Sequence, residues 1–332
     1  MKVSIVSAAA KVLRSFVPVL VGVMFLGSTG GALAEYPDRV VKIINPYAVG
    51  GSVDTLTRLF AQKASERTGK NFIVENKTGA GGRIGYDFAA KGRGDGYLLV
   101  AADPAGYAVL GALYPQLPWD HAKDLVPVAV FARAPFAIVV SPQSRFRTLA
   151  QVMEYARANP GKVTYGSPGL GTPAQLVMEL LQLENKVSWT HVPYKGGSEA
   201  LVAVMSNSVD LMVTGVPTIL NQMKQGTVSV IAVTSHNRWP GLERTPTLVE
   251  QGMNIATYSS YGLMAPKGTS SAIMDYLYQQ VVEVQKDRGM KEALDGQGVQ
   301  GVAIPAAELE RSLAEETRLW SRVVREAKIK VE

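Results

Sequence analysis

Cysteine is absent from this 332-residue sequence. That excludes a disulfide scaffold, a Cys-ligated zinc site, a thiol nucleophile and a lipid-modified lipoprotein cysteine. Only three His are present, too few for a His-rich metal site, and neither a metal nor a cofactor is expected. The P-loop pattern G-x-x-x-x-G-K-[ST], the pattern H-E-x-x-H and the G-x-S-x-G elbow are all missing. Gly169-Leu-Gly171-Thr-Pro-Ala174 fits a G-x-G-x-x-A variant, but no ribose-binding acid stands at the end of the next strand, His191-Val192. Nothing assembles a nucleophile, a base and an orienting group, so no catalytic residue is expected and the chain reads as a binder. Charged residues make up 19%, with no long basic run, which argues against nucleic acid as a partner.

The amino terminus reads as an address. Met1 to Arg14 carries Lys2, Lys11 and Arg14 and no acid, and the apolar run Phe16–Leu26 leads to Ala32-Leu33-Ala34. A basic start, a short apolar run and an A-x-A end predict a signal peptide over 1–34, removed after Ala34. The run falls short of the ~20 residues of a membrane span. Removing it leaves 332 − 34 = 298 residues and a balance of 31 − 28 = +3. An exported, Cys-free and soluble mature chain fits a bacterial periplasm.

Beyond residue 34, short β-branched runs alternate with amphipathic helical segments, the pattern of α/β layers. Strands are expected at 40–44, 72–74, 97–100, 126–130, 136–140, 163–166, 188–192, 209–214, 228–234 and 261–265. Helices are expected after Gly50-Gly51-Ser52 up to Gly69, after Gly79–Gly85, at 149–158, 174–183 and 198–206, with two more closing the chain. The strand-like passages at 126–140 and 258–265, without a flexible linker, predict two domains joined by a hinge: 35–133 plus 259–332, and 134–258.

Three strands run into Gly-rich turns that open helices: Pro46–Asp54, Gly79–Gly85 and Gly166–Pro173. Such turns offer backbone N–H groups at a positive helix terminus, which suits a carboxylate or phosphate; ordinary βα punctuation is the bland alternative. The candidate contacts are Gly50, Gly51 and Ser52 in the first turn, Gly81, Gly82 and Ile84 in the second, and Gly171 in the third. Ser167 and Thr172 would assist through their hydroxyls, with Thr172 as N-cap and Pro173 at the first helical position. Tyr47 and Tyr194 each follow a Pro after a strand and would wall a small pocket or, equally, pack in the core. Lys195, before Gly196, and Arg83 lie where a cation would face a bound carboxylate or, equally, stand solvated at the surface. Arg83 at a helix start opposes the dipole; a second ligand carboxylate would compensate it, as would Asp87 four residues on. Asp54 reads as a helix cap, His191 as a hydrogen-bonded framework residue, and His121 and His236 as turn residues. Asp103 has no assigned role.

The blocks Tyr36-Pro-Asp-Arg39, Ile44-Asn-Pro-Tyr-Ala-Val-Gly-Gly-Ser-Val-Asp54, Val74-Glu-Asn-Lys-Thr-Gly-Ala-Gly-Gly82, Asp95-Gly-Tyr97, His191-Val-Pro-Tyr-Lys-Gly196, Ile231-Ala-Val-Thr-Ser235 and Gly262-Leu-Met-Ala-Pro-Lys-Gly268 occur in this order. Together they resemble the substrate-binding proteins of tripartite tricarboxylate transporters, the Bug receptors. The resemblance implies an α/β, two-domain periplasmic-binding-protein fold of type II-like form, with a ligand cleft between the domains. It also implies a monomer that binds a small carboxylate (di- or tricarboxylate, amino acid or aromatic) and serves a two-component integral membrane permease. A same-fold periplasmic sensor feeding a signalling system is the alternative. Carried onto this chain, the ligand loops are 46–54, 79–85, 166–173, 193–197 and 214–217, the last adding Gly215. Three residues depart from the pattern: Val49 where Pro is typical, Arg83 where Asn is common, and Gln175 where His is frequent.

Overall fold

A computed structural model describes residues 36–114 and 116–330, so the signal peptide expected over 1–34 lies outside the described residues. By packing, the chain divides into Met1–Asp38 and Arg39–Glu332; the fold below is that of the second unit. Among the described residues no helix is long and apolar enough to cross a membrane.

The first strands alternate with helices. Strand β1 (Val41–Asn45) leads to α1 (Ser52–Thr68), and β2 (Phe72–Asn76) leads through the 3-10 turn Ala80–Gly82 to α2 (Arg83–Ala90). Strand β3 (Leu98–Ala102) leads to α3 (Pro104–Leu113). Helix α1 buries Leu56, Phe60 and Ala64 at 3.6-residue spacing. Gly69 ends it in the left-handed region at φ 68°, its N–H returning to the Ser65 carbonyl.

The long strand β4 (Leu125–Val140) follows, then α4 (Leu149–Ala158), β5 (Thr164–Ser167), α5 (Pro173–Asn185), β6 (Thr190–Pro193), α6 (Gly197–Met205), β7 (Leu211–Gly215), α7 (Val216–Lys224) and β8 (Ser229–Val233). The chain closes with β9 (Tyr258–Pro266), α8 (Ser271–Val284), α9 (Arg288–Gly296), β10 (Gln300–Pro305) and α10 (Ala306–Glu326). Thr148, Thr172, Ser270 and Asp287 cap α4, α5, α8 and α9 through their side chains.

Several elements differ from the sequence expectation. The runs 126–130 and 136–140 are one strand, because residues 132–135 stay paired: Ala132 lies opposite Tyr261, Arg133 opposite Ser260 and Pro135 opposite Tyr258. Pro135, which has no N–H, falls where β4 changes partners from β9 to β7. Helix α3 is not among the expected helices: Pro104, Ala105 and Tyr107–Leu110 are all buried, which leaves it no polar face and no readable period. Helix α7 was also missed, and three helices rather than two close the chain, with β10 set between the last pair.

The sheet order is β2-β1-β3-β9-β4-β7-β5-β6, with β10 and β8 also on β4. Strands β1, β2 and β3 are mutually parallel and β3 is antiparallel to β9, which is antiparallel to β4. Hence β1–β3 run in the direction of β4. On the other side, β7 is antiparallel to β4, and β5 and β6 are parallel to β7. The carboxyl ends of β1–β3 and of β5–β7 therefore point toward one another along β4. This is a two-domain α/β binding-protein fold.

Helix α10 packs on α3, β4 and α5 and so ties the two sides together. Its fully buried Trp320 and Val323 share a cluster with Ala108 and Val109 of α3 and Leu176 and Leu180 of α5. Near this junction stand two acids, Asp103 and Glu316, each with a buried oxygen that has no hydrogen-bond partner. Burial pushes the Asp103 carboxyl up to about 7, against the N–H groups of Ser260, Gly106 and Ala105, which favour the anion. Burial and then the Asp103 charge push Glu316 up to about 7 as well, with the Trp320 indole opposing.

Truncating Trp320 should be costly. In Trp320→Ala, urea unfolding should show a loss of about 3–5 kcal/mol, the usual range for a buried Trp; a loss under 1 kcal/mol would show that α10 does not clasp the core. The acids set a pH dependence. Both pKa values lie above the ~4 of the unfolded chain, so their contribution to stability is complete below that value and is lost as pH rises toward 7. The double variant Asp103→Asn, Glu316→Gln should therefore show a flatter decline in unfolding free energy between pH 5 and pH 8. An unchanged slope would exclude these groups as its source.

Candidate ligand-binding site

The facing strand ends put the Gly-rich turns on opposite sides of one gap. Ala102, the last residue of β3, is level with Val130 through Gly262, whereas Gly215, the last of β7, lies opposite Phe136. Val130 and Phe136 are separated by roughly 20 Å of strand. Ligands of open α/β folds bind beyond the carboxyl ends of the strands.

The first turn is held by a buried carboxylate. Asp54 is 2% exposed and accepts from Asn45 Nδ2 (3.0 Å), Asn76 Nδ2 (2.8 Å), the Gly50 N–H (3.0 Å) and Arg58 Nε (3.1 Å). Burial raises its pKa, but these donors, led by Arg58, outweigh burial and hold it at about 2. Asp54 is thus not the helix cap expected from sequence: Gly51 occupies that position, and Asp54 fastens the loop ahead of it. Gly50 takes φ 77°, a conformation that suits glycine. The N–H groups of Ser52 and Val53, at the start of α1, find no acceptor among the described residues.

The second turn meets the first through aromatic rings. The Tyr47 and Tyr86 hydroxyls are 3.1 Å apart, and a Cβ built on Gly82 would lie 3.4 Å from the Tyr47 ring and 3.3 Å from that of Tyr86. Gly81 and Gly82 have φ 66° and 99°. Ile84 lies over Gly79, where a Cβ would come within 2.6 Å of Ile84 Cδ1. Arg83 does not pair with Asp87, whose carboxylate holds Lys91 at 2.7 Å. Its guanidinium instead covers the Tyr114 ring at 4.4 Å.

The third turn is closed on itself. Ser167 Oγ lies 2.7 Å from His191 Nε2 and donates to the Gly169 carbonyl (3.0 Å). Thr172 Oγ1 donates to that same carbonyl at 2.8 Å while accepting the Gln175 N–H. Both hydroxyls expected to assist a ligand are therefore engaged within the turn. Gln175 Oε1 accepts the Gly171 N–H at 2.7 Å, so this side chain fixes the turn. Burial holds the His191 imidazole down at about 4; with its ring stacked on Tyr165 at 4.8 Å, it is a neutral framework residue. Pro173 opens α5.

Tyr194 packs against Gly166, where a Cβ would lie 3.1 Å from its ring. Lys195 is exposed, and its N–H donates to Glu199. Gly196 caps α6 in extended backbone, and Gly215 caps α7. The candidates thus form two groups, one at each set of strand ends. Sequence reasoning missed the Asn45–Asp54–Asn76 clamp, because its three members are 9 and 22 residues apart and meet only when β1 and β2 pair. Among the described residues no group of three or more His, Cys, Asp or Glu is placed to hold a metal ion.

Comparison with known proteins agrees with this fold. Residues 56–329 match the family described as the tripartite tricarboxylate transporter family receptor. The chain is 32% identical to protein BugT of Bordetella pertussis, over 89% of this chain and 91% of BugT. A solved structure described as a periplasmic transporter superposes with TM-score 0.78 at 32% identity, covering 90% of this chain and 100% of the other. An R. palustris protein solved with adipate gives TM-score 0.78 at 30% identity, over 89% and 99% of the two chains. Members of the family are periplasmic substrate-binding receptors. This chain belongs to the tripartite tricarboxylate transporter receptor family.

Proposed function

We propose that this chain is a periplasmic receptor that captures a small carboxylate and delivers it, as a monomer, to a two-component permease of the tripartite tricarboxylate type. On this reading 1–34 is a cleaved signal peptide, and 35–133 plus 259–332 and 134–258 are the domains that close on the ligand. The observation that carries the reading is the opposition of helix starts across the gap. Helix α1 begins at the strand ends on one side with its Ser52 and Val53 N–H groups free, α5, α6 and α7 begin at the strand ends on the other, and an anion between them would be held by dipoles and hydrogen bonds. The adipate found in the R. palustris relative is a ligand of this chemistry.

A thermal-shift screen over mono-, di- and tricarboxylates should find stabilising ligands, since one at 100 times its Kd adds about 2.7 kcal/mol to folding. A panel without a single shift would sink the proposal. The contact loops can be probed at Gly196, whose backbone is extended and whose Cβ position has no atom within 4 Å. Gly196→Ala should keep the fold at a cost of no more than ~1 kcal/mol, yet weaken binding by several-fold in titration calorimetry, because its methyl group keeps the ligand from the start of α6. Unaltered affinity would remove 193–197 from the contact loops.

A further inference from the structure

Along β4, Arg133 stands midway between the levels of the two sets of strand ends. It is three residues beyond Val130, level with the end of β3, and three before Phe136, opposite Gly215. It is half-buried, and its Nε is sealed from solvent without a hydrogen-bond partner. Among the described residues no carboxylate pairs with it, whereas Arg58 holds Asp54 and Arg145 holds Asp210, each at 3.1 Å.

The guanidinium is positioned by an aromatic platform instead. It lies 4.6 Å over the Tyr258 ring. The Tyr258 hydroxyl accepts the His236 N–H at 3.0 Å, and its ring meets Trp239 at 6.2 Å. Trp239 is in turn tied to the Gly298 carbonyl at 3.0 Å. The cation is thus held in place by stacking while its charge stays uncompensated. A half-buried guanidinium without an anion is electrostatically incomplete, and its planar fork suits a carboxylate. Arg83 also has an unpartnered Nε, but its guanidinium lies on Tyr114 at the far end of α3, roughly 15 Å along the helix from its start.

We propose that Arg133 is a specificity-determining residue of the cleft and takes a second anionic group of the ligand, while the helix starts hold the first carboxylate. This rests on the reading of the cleft as a carboxylate site and extends it to a ligand with two negative ends.

The test uses matched pairs that differ by one charge: succinate and butyrate, malate and 3-hydroxybutyrate, adipate and hexanoate, terephthalate and benzoate. Titration calorimetry would be run on the mature protein and on Arg133→Gln and Arg133→Lys, with circular dichroism and melting temperature confirming that each variant is folded. The native protein should prefer the diacid of at least one pair by about tenfold or more. Arg133→Gln should abolish that preference and keep the monoacid affinity, and Arg133→Lys should restore part of it. A preference that survives in Arg133→Gln, or that is lost in Arg83→Gln instead, overturns the assignment. Binding of monoacids and diacids with equal affinity overturns it while leaving the carboxylate receptor intact. A native protein that binds no member of any pair overturns both.

Discussion

The direction of β4 is the constraint on which the rest of the molecule depends. This strand serves both halves of the sheet, and its hydrogen-bond polarity sets that of every neighbour. Strands β1–β3 run with it through β9, and β5–β7 run against it. Two sets of strand ends, and the helix starts that follow them, are thereby made to confront each other. Were β4 broken at 132–135, nothing in the pairing would fix that opposition.

The crossing carries more than hydrogen bonds. Helix α10 lies over α3 and α5 and buries Trp320 between them. Close by, Asp103 and Glu316 keep unpartnered oxygens away from solvent, an arrangement that opposes the stability gained by burying the indole. On β4 itself Arg133 rests on Tyr258 with its charge unmatched. Unmet polar demands thus gather where β4 and α10 pass between the halves. Folded proteins tolerate such local conflict mainly at functional sites.

The loops show a different economy. Their own side chains fasten them: Asp54 gathers four donors behind the first turn, and Gln175, Thr172 and Ser167 close the third. A turn stiffened in this way presents its remaining N–H groups in a fixed geometry, so less ordering is left to be done when a ligand arrives.

By itself the sequence determined the layered α/β class, most strand and helix positions, and the Gly-rich turns that open α1, α2 and α5. These are local: a period of 2 or 3.6, a Thr or Ser cap, or a Gly where φ is positive can be read within a few residues. The ordered blocks also determined the family. Tertiary structure alone decided what depends on pairing. Only the partners β9 and β10 keep Ala132–Pro135 in one strand, since the local run of small residues, a charge and a Pro reads as a break. Helix α3 is buried all round, so it has no polar face to announce it. Asp54 looks like a cap until Asn45 and Asn76 are brought beside it, and Arg133 looks like a surface charge until β4 pairs with β9 and sets it over the Tyr258 ring. Helical and strand periods are written in neighbouring residues, but the partners of a buried charge are chosen by the register of strands far apart in the chain.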